Sequence, residues 1–265
     1  MWKKKYWWFI IPLLLIVLSV GGYYTKQYLD YRTEMAKTPI RLVAMGDSLT
    51  EGVGDEDKNG GYVGILETKF KKNEDVRNVT TSNYGVAGNR IDQLLKRLKT
   101  QDDFRQDVKK ANVITITIGG NDVMAVLKSK LLDVQVSDFE KADKNFQKDL
   151  KELFGEIRSL NQDAEVYLVG IYNPYTTYFS QIEEFDQVIS DWNAGSEKIV
   201  REEGRTHFVP IADKLENREA KNKDKPNPLL STKDYFHPNH KGYEVMADTI
   251  YQSIDKDLKA GRISK

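Results

Sequence analysis

Ser48 follows Gly46 and Asp47 at the end of an apolar and β-branched run, residues 40–45. A serine hydroxyl attacks a carbonyl poorly unless a neighbouring base takes its proton. The base candidate is His237, one of three histidines, in the segment Asp234-Tyr235-Phe236-His237-Pro238-Asn239. Pro238 breaks a preceding helix and suits the first turn of the next, so Asp234 and His237 fall on a loop at a helix entrance. Their spacing lets the carboxylate reach one imidazole nitrogen and leaves the other for a hydroxyl. Read singly, Gly-Asp-Ser is an ordinary turn or helix cap, and Asp-x-x-His is a capping histidine beside a solvated aspartate.

Attack on a carbonyl creates an oxyanion, which needs hydrogen-bond donors. Three are expected: the Ser48 backbone N–H, the Gly88 N–H in Asn83-Tyr84-Gly85-Val86-Ala87-Gly88-Asn89, and the Asn121 side-chain amide in Ile118-Gly119-Gly120-Asn121-Asp122. His240 stands close to His237, but two histidines without cysteine or further histidine make a poor metal site, and no metal is expected. His207 reads as structural. The chain has no cysteine, so disulfides, thiolate ligands, a cysteine nucleophile and a lipid-modified cysteine are excluded.

The elements that must position these residues alternate in type. Strand-like runs occupy residues 40–45, 79–84, 113–118, 166–169 and 207–209. Amphipathic segments lie between them at 62–71, 91–98, 139–160, 181–203 and 242–258. Leu150, Leu153, Phe154 and Ile157 repeat at the spacing of one buried helical face. Short continuous apolar strands separated by helices indicate a parallel sheet covered on both sides, hence a three-layer α/β/α domain. Ser48, Gly88 and Asn121 then follow three successive strands, each in a turn rich in small residues. The triad pair precedes the last helix, so all five positions map to one edge of one sheet. Two loops are expected at that edge, residues 123–137 and the aromatic 173–179. Ligands bind outside the carboxyl ends of strands in such sheets, so these loops line a pocket or pack as ordinary surface.

The four blocks Gly46-Asp47-Ser48-Leu49-Thr50-Glu51-Gly52, Gly88, Gly119-Gly120-Asn121-Asp122 and Asp234-x-x-His237-Pro238 resemble, in order and spacing, those of the SGNH hydrolase superfamily of GDSL-type lipases and esterases. The resemblance covers about residues 40–260. It implies a flavodoxin-like fold with a central parallel sheet. It implies Ser48 as nucleophile, His237 as general base and acid, and Asp234 as the orienting carboxylate. Ser48, Gly88 and Asn121 would form the oxyanion hole, and no cofactor is implied. The substrates expected are carboxylic esters: phospholipid, lipoteichoic acid or wall polysaccharide acyl esters. A non-catalytic envelope scaffold and an acyltransferase are the alternatives on the same fold.

The bulk composition is that of a soluble domain. The 265 residues carry 40 basic and 40 acidic side chains, and 30% of the chain is charged. Basic residues are interspersed with acids, so no nucleic-acid partner is expected. The amino terminus differs. Lys3-Lys4-Lys5 precede an uncharged apolar run, residues 6–24, bracketed by Trp7, Trp8, Tyr23 and Tyr24. As a helix that run spans about 28 Å, close to a bilayer's hydrocarbon thickness. The basic flank and aromatic belt predict one transmembrane helix with the remainder of the chain exported, as in membrane-anchored enzymes of Gram-positive bacteria. A cleaved signal peptide, with Ser19-Val20-Gly21 as a weak site, is the competing reading. The expected organisation is a basic tip and anchor over 1–25, a polar helical stalk over 26–38 ended by Pro39, and the catalytic domain over 39–265.

Overall fold

The computed structural model describes residues 7–130, 135–174, 183–216 and 226–264. Five strands form one sheet: β1 (Thr38–Gly46), β2 (Val76–Gly85), β3 (Val113–Thr117), β4 (Glu165–Val169) and β5 (Thr206–Val209). All pairings are parallel, in the order β2-β1-β3-β4-β5. The central strands β1, β3 and β4 are buried on both faces, while the edge strands β2 and β5 are partly exposed. Val43, Met45, Ile114 and Ile116 point to one layer, while Leu42, Ala44, Val113 and Tyr167 point to the other. The alternation is the period of two that a pleated strand imposes.

The first layer holds α4 (Ile91–Thr100), α5 (Asp102–Lys110), α6 (Gly120–Lys130), α7 (Val136–Leu160) and α8 (Glu183–Glu202). Leu150, Leu153, Phe154 and Ile157 form the buried stripe of α7, as their spacing predicts. On the opposite face lie α3 (Gly61–Lys71) and α10 (His240–Lys259), joined through Tyr62, Leu66, Phe70, Met246 and Ile250. Two short helices, α2 (Ser48–Glu51) and α9 (Ala212–Leu215), follow β1 and β5. Strand order reverses between β1 and β3, which opens a crevice at their carboxyl ends.

One expectation needs correction. Residues 123–137 are not one long loop, since α6 runs through Lys130 and α7 begins at Val136. The cause is visible in the spacing: Val123, Val126 and Leu127 fall at i, i+3 and i+4 and pack on the first core. Helix α5 falls outside the expected amphipathic segments, although Phe104 and Val108 lie one turn apart and are fully buried. The anchor and stalk form a single helix, α1 (Trp7–Ala36), that continues through Pro12. It stops before Pro39, which lies inside β1 near its first residue, where strand pairing is irregular. The aromatic segment 173–179 lies outside the described residues beyond Pro174.

Residues 10–36 of α1 are exposed along their whole length. Among the described residues this is the one helix long and apolar enough to cross a membrane. Only Lys37 separates it from β1, the strand flanked by β2 and β3.

The start of β1 is clasped by a fully buried side chain. Asn112 accepts a hydrogen bond from Arg41 N at 2.8 Å and donates to Pro39 O at 2.6 Å and Ser264 O at 2.7 Å. One amide thus joins β1, the entrance to β3 and the carboxyl-terminal tail. Asn112→Ala orphans three backbone groups, each costing about 1–3 kcal/mol when buried unpaired. The expected outcome is a loss of about 2–4 kcal/mol in denaturant unfolding, allowing for partial relaxation. A loss below about 0.5 kcal/mol, the scale of an ordinary surface change, would show that the clasp does not hold the edge.

Candidate active site

β1 ends at Gly46, whose φ is +145°. A Cβ there would lie 2.0 Å from Thr117 O, so only glycine lets β1 pass this close to the end of β3. The next residue, Asp47, caps α2. Its backbone N–H donates to Thr117 O at 3.0 Å, and its Oδ1 accepts from Leu49 N at 3.0 Å and from Thr117 Oγ1 at 2.9 Å. Thr117 Oγ1 also meets Thr50 Oγ1 at 2.7 Å, which in turn meets Tyr62 OH at 2.9 Å. This buried hydroxyl network fixes the turn and holds Ser48 at the head of α2.

Ser48 and His237 stand 189 residues apart in sequence and meet here. His237 Nε2 lies 2.9 Å from Ser48 Oγ, and His237 Nδ1 lies 2.7 Å from Asp234 Oδ2. With Nδ1–H donating to the carboxylate, Nε2 is left to accept the serine proton. Asp234 Oδ1 accepts from Phe236 N at 3.0 Å and His237 N at 3.1 Å. Burial pushes the Asp234 carboxyl up, but hydrogen bonds from the His237 ring and these two N–H groups outweigh it. The group therefore sits below the usual carboxylate range and stays ionised.

The loop carrying this pair is braced on several sides. Ser231 N donates to His237 O at 2.8 Å, and Tyr172 OH donates to Phe236 O at 2.6 Å. Gly54 lies so close that a Cβ would sit 2.5 Å from Pro238 O. His240 does not join His237. Its Nδ1 meets Asp55 Oδ1 at 2.9 Å, and that hydrogen bond raises the imidazole pKa above its ordinary value. The pair ties the loop after α2 to the start of α10.

Asn121 is the second residue of α6. Its Nδ2 donates to Asn89 O at 3.0 Å, which fixes the amide and leaves one N–H free to be donated elsewhere. Ser48 and Asn121 line the same small cavity. Gly88 is not on that cavity's wall. It occupies an exposed turn beyond β2, with φ +80° and open space where a Cβ would be. Among the described residues no protein acceptor takes its N–H.

Two carboxylates near the site escaped the sequence reading in their state, though not in their identity. Burial pushes Asp47 up to about 6, against hydrogen bonds from Leu49 and Thr117 and the charge of His237 that pull it down. Burial likewise pushes Asp122 up to about 7, opposed by the Ile91 N–H. Neither burial has a local sequence signal. As for metal, Glu165, His207 and Asp257 offer ligand atoms within 4.8 Å of one another. Arg205 already pairs with Glu165, and Arg262 with Asp257, and these charges would oppose a bound cation. The group lies at the amino edge of β4 and β5, the end of the sheet away from Ser48.

Fold and site together define a carboxylic ester hydrolase on the SGNH architecture. Residues 44–245 match the GDSL-like Lipase/Acylhydrolase family, and the chain belongs to it. It is 38% identical over 221 residues to the uncharacterized protein YpmR of Bacillus subtilis, covering 83% of this chain and 84% of that one. It is 28% identical over 214 residues to the spore germination lipase LipC of Bacillus licheniformis, covering 80% of this chain and 94% of that one. Among solved structures, the lipase Lip_vut3 from a goat rumen metagenome superposes with a TM-score of 0.68 at 26% identity, over 80% of this chain and 95% of that one. Axe2, an acetylxylan esterase from Geobacillus stearothermophilus, shares the fold with a TM-score of 0.60 at 17% identity, over 80% and 93%.

The raised Asp122 carboxyl makes a signed prediction. A carboxyl whose folded pKa exceeds its unfolded one costs stability progressively as pH rises from about 4 to about 7, and the full cost persists above that. Asp122→Asn removes that cost and keeps an oxygen for the Ile91 N–H. The variant should be more stable than the parent at pH 8 by roughly 1–3 kcal/mol, with the gain fading as pH falls from about 7 to about 4. Denaturant midpoints at pH 8 and pH 4 check it. An equal difference at both pH values would remove ionisation as the cause.

Proposed function

We propose that this chain hydrolyses carboxylic esters by a serine mechanism, from a position outside a membrane in which α1 is anchored. The observation that carries the catalytic part is the unbroken hydrogen-bonded path from Ser48 Oγ through His237 to Asp234. Ser48 Oγ attacks the ester carbonyl carbon while its proton passes to His237 Nε2. The oxyanion is held by the Ser48 N–H, the Gly88 N–H and the free N–H of Asn121. Collapse of the tetrahedral species expels the alcohol oxygen, which takes the proton from His237. Water then attacks the acyl-serine with His237 as base, and the released acid frees Ser48. Asp234 stays ionised throughout and stabilises the imidazolium. No cofactor enters these steps.

The placement rests on α1. Basic residues ahead of an apolar helix keep the amino terminus cytoplasmic and send the following domain across. On this reading residues 1–25 are tip and anchor, 26–38 are the stalk, helical through Ala36, and 39–265 are the catalytic domain. The esters within reach are acyl groups on phospholipid, lipoteichoic acid or wall polysaccharide.

Short-chain aryl esters should be hydrolysed by the purified chain and not by Ser48→Ala. A serine-directed fluorophosphonate should label the parent covalently and leave Ser48→Ala unlabelled. Activity persisting in Ser48→Ala would refute the nucleophile. Asn121→Ala should lower kcat by about 10²–10³, the worth of one oxyanion donor, with folding intact by circular dichroism. A merely tenfold loss would take Asn121 out of that role.

A further inference from the structure

The geometry points to a substrate whose acyl group is short, about acetyl-sized, and whose ester is presented away from the bilayer that holds α1. The inference rests on the proposed esterase and anchor and narrows them. Two independent observations carry it.

The first is the room beside the nucleophile. The cavity that Ser48 and Asn121 line has a volume of about 40 Å³ and is walled by Ile118, Val169, Ile171, Tyr172 and Phe236. One water needs roughly 10–15 Å³ on this measure, so the space takes about three small heavy groups. That suits a carbonyl carbon with a methyl or ethyl behind it. The wall is also fixed. Asn193 Oδ1 accepts from Ile171 N at 2.9 Å, and Asn193 Nδ2 donates to Ile171 O at 2.8 Å, so one side chain clamps this backbone from both sides. Gly170 runs close against the Phe208 ring, which a Cβ at that position would approach to 2.8 Å. The Tyr172 hydroxyl ties the wall to Phe236 O at 2.6 Å, beside His237. On the side of Ile171 and Tyr172, lengthening the acyl group meets this braced surface.

The second observation is topological. α1 joins the domain at the amino end of β1, and Ser48 follows its carboxyl end. Every strand is parallel, so the whole reaction edge faces away from the point of attachment. The exposed polar part of α1 rises about 18 Å past the apolar run, and β1 adds about 26–30 Å. With α1 and β1 in line along the bilayer normal, the site stands about 45 Å from the bilayer surface. In that arrangement the ester carbonyls of the host bilayer, at its interface, lie across the domain from Ser48.

The test uses the full chain reconstituted in phosphatidylglycerol vesicles. Hydrolysis of p-nitrophenyl acetate, butyrate, octanoate and laurate is compared, and fatty acid released from the vesicle lipid is measured, each against Ser48→Ala. The expected result is a kcat/KM that falls at least tenfold from acetate to octanoate, with no fatty acid released above the Ser48→Ala background. Octanoate or laurate matching acetate would overturn the short acyl seat. Release of fatty acid from the host vesicles would overturn the stand-off. Failure of the esterase reading itself looks different: no ester of any length is turned over and no fluorophosphonate adduct forms, and the inference falls with it.

Discussion

The close approach of β1 to β3 at Gly46 and Thr117 is the constraint on which the site is built. At that point there is no room for a side chain, and the carbonyl that forbids one accepts the Asp47 N–H. The buried Asp47 carboxylate then takes its own hydrogen bonds from Thr117 and Leu49. The turn out of the strand is therefore held by the neighbouring strand and not by its own local preference. Ser48 inherits its position from the sheet, and the loop bearing His237 needs only to reach that fixed point. Gly54, Tyr172 and the Asp55–His240 pair are what bring it there.

Holding a carboxylate in that place has an energetic consequence. Asp47 is almost inaccessible, and burial raises its pKa to about 6 despite three favourable contacts. Asp122, one residue beyond Asn121, is raised further for the same reason. Buried polar groups that oppose folding near Ser48 fit a general pattern, in which sites keep strained or costly groups that the rest of the fold must offset. Here the offset comes from two dense apolar layers on either face of the sheet.

Much of this was legible in the chain. All five strands could be read from short apolar or β-branched runs, most plainly β1, β3 and β4, which are buried on both faces, and less so the edge strand β2, where Arg77, Asn78, Ser82 and Asn83 interrupt the pattern. Asp234 and His237 could be paired because they are neighbours on one loop, and Ser48 because a glycine marks the strand exit. Helices α5 and α6 were harder. Their apolar stripes rest on two or three residues, Phe104 with Val108 and Val123 with Val126 and Leu127, which local pattern alone does not separate from loop. The burial of Asp47 and the fixing of the Asn121 amide by Asn89 O depend on contacts between elements distant in sequence. So does the division of labour between the histidines. His237 faces Ser48, His240 braces Asp55, and His207 is held among Glu165, Asp257 and the Tyr167 ring at the other end of the sheet.

The continuity of α1 with β1 has a mechanical meaning. A pull on α1 enters the domain through a strand hydrogen-bonded on both sides, to β2 and to β3. Its hydrogen bonds run across the direction of pull and bear the load together, in shear, where an edge hairpin would let them open one at a time. The Asn112 clasp adds a fastening where the force arrives. The same strand that leads to Ser48 at its far end is thus the tension member of the molecule, and Ser48 sits where that tension has already been shared among its neighbours.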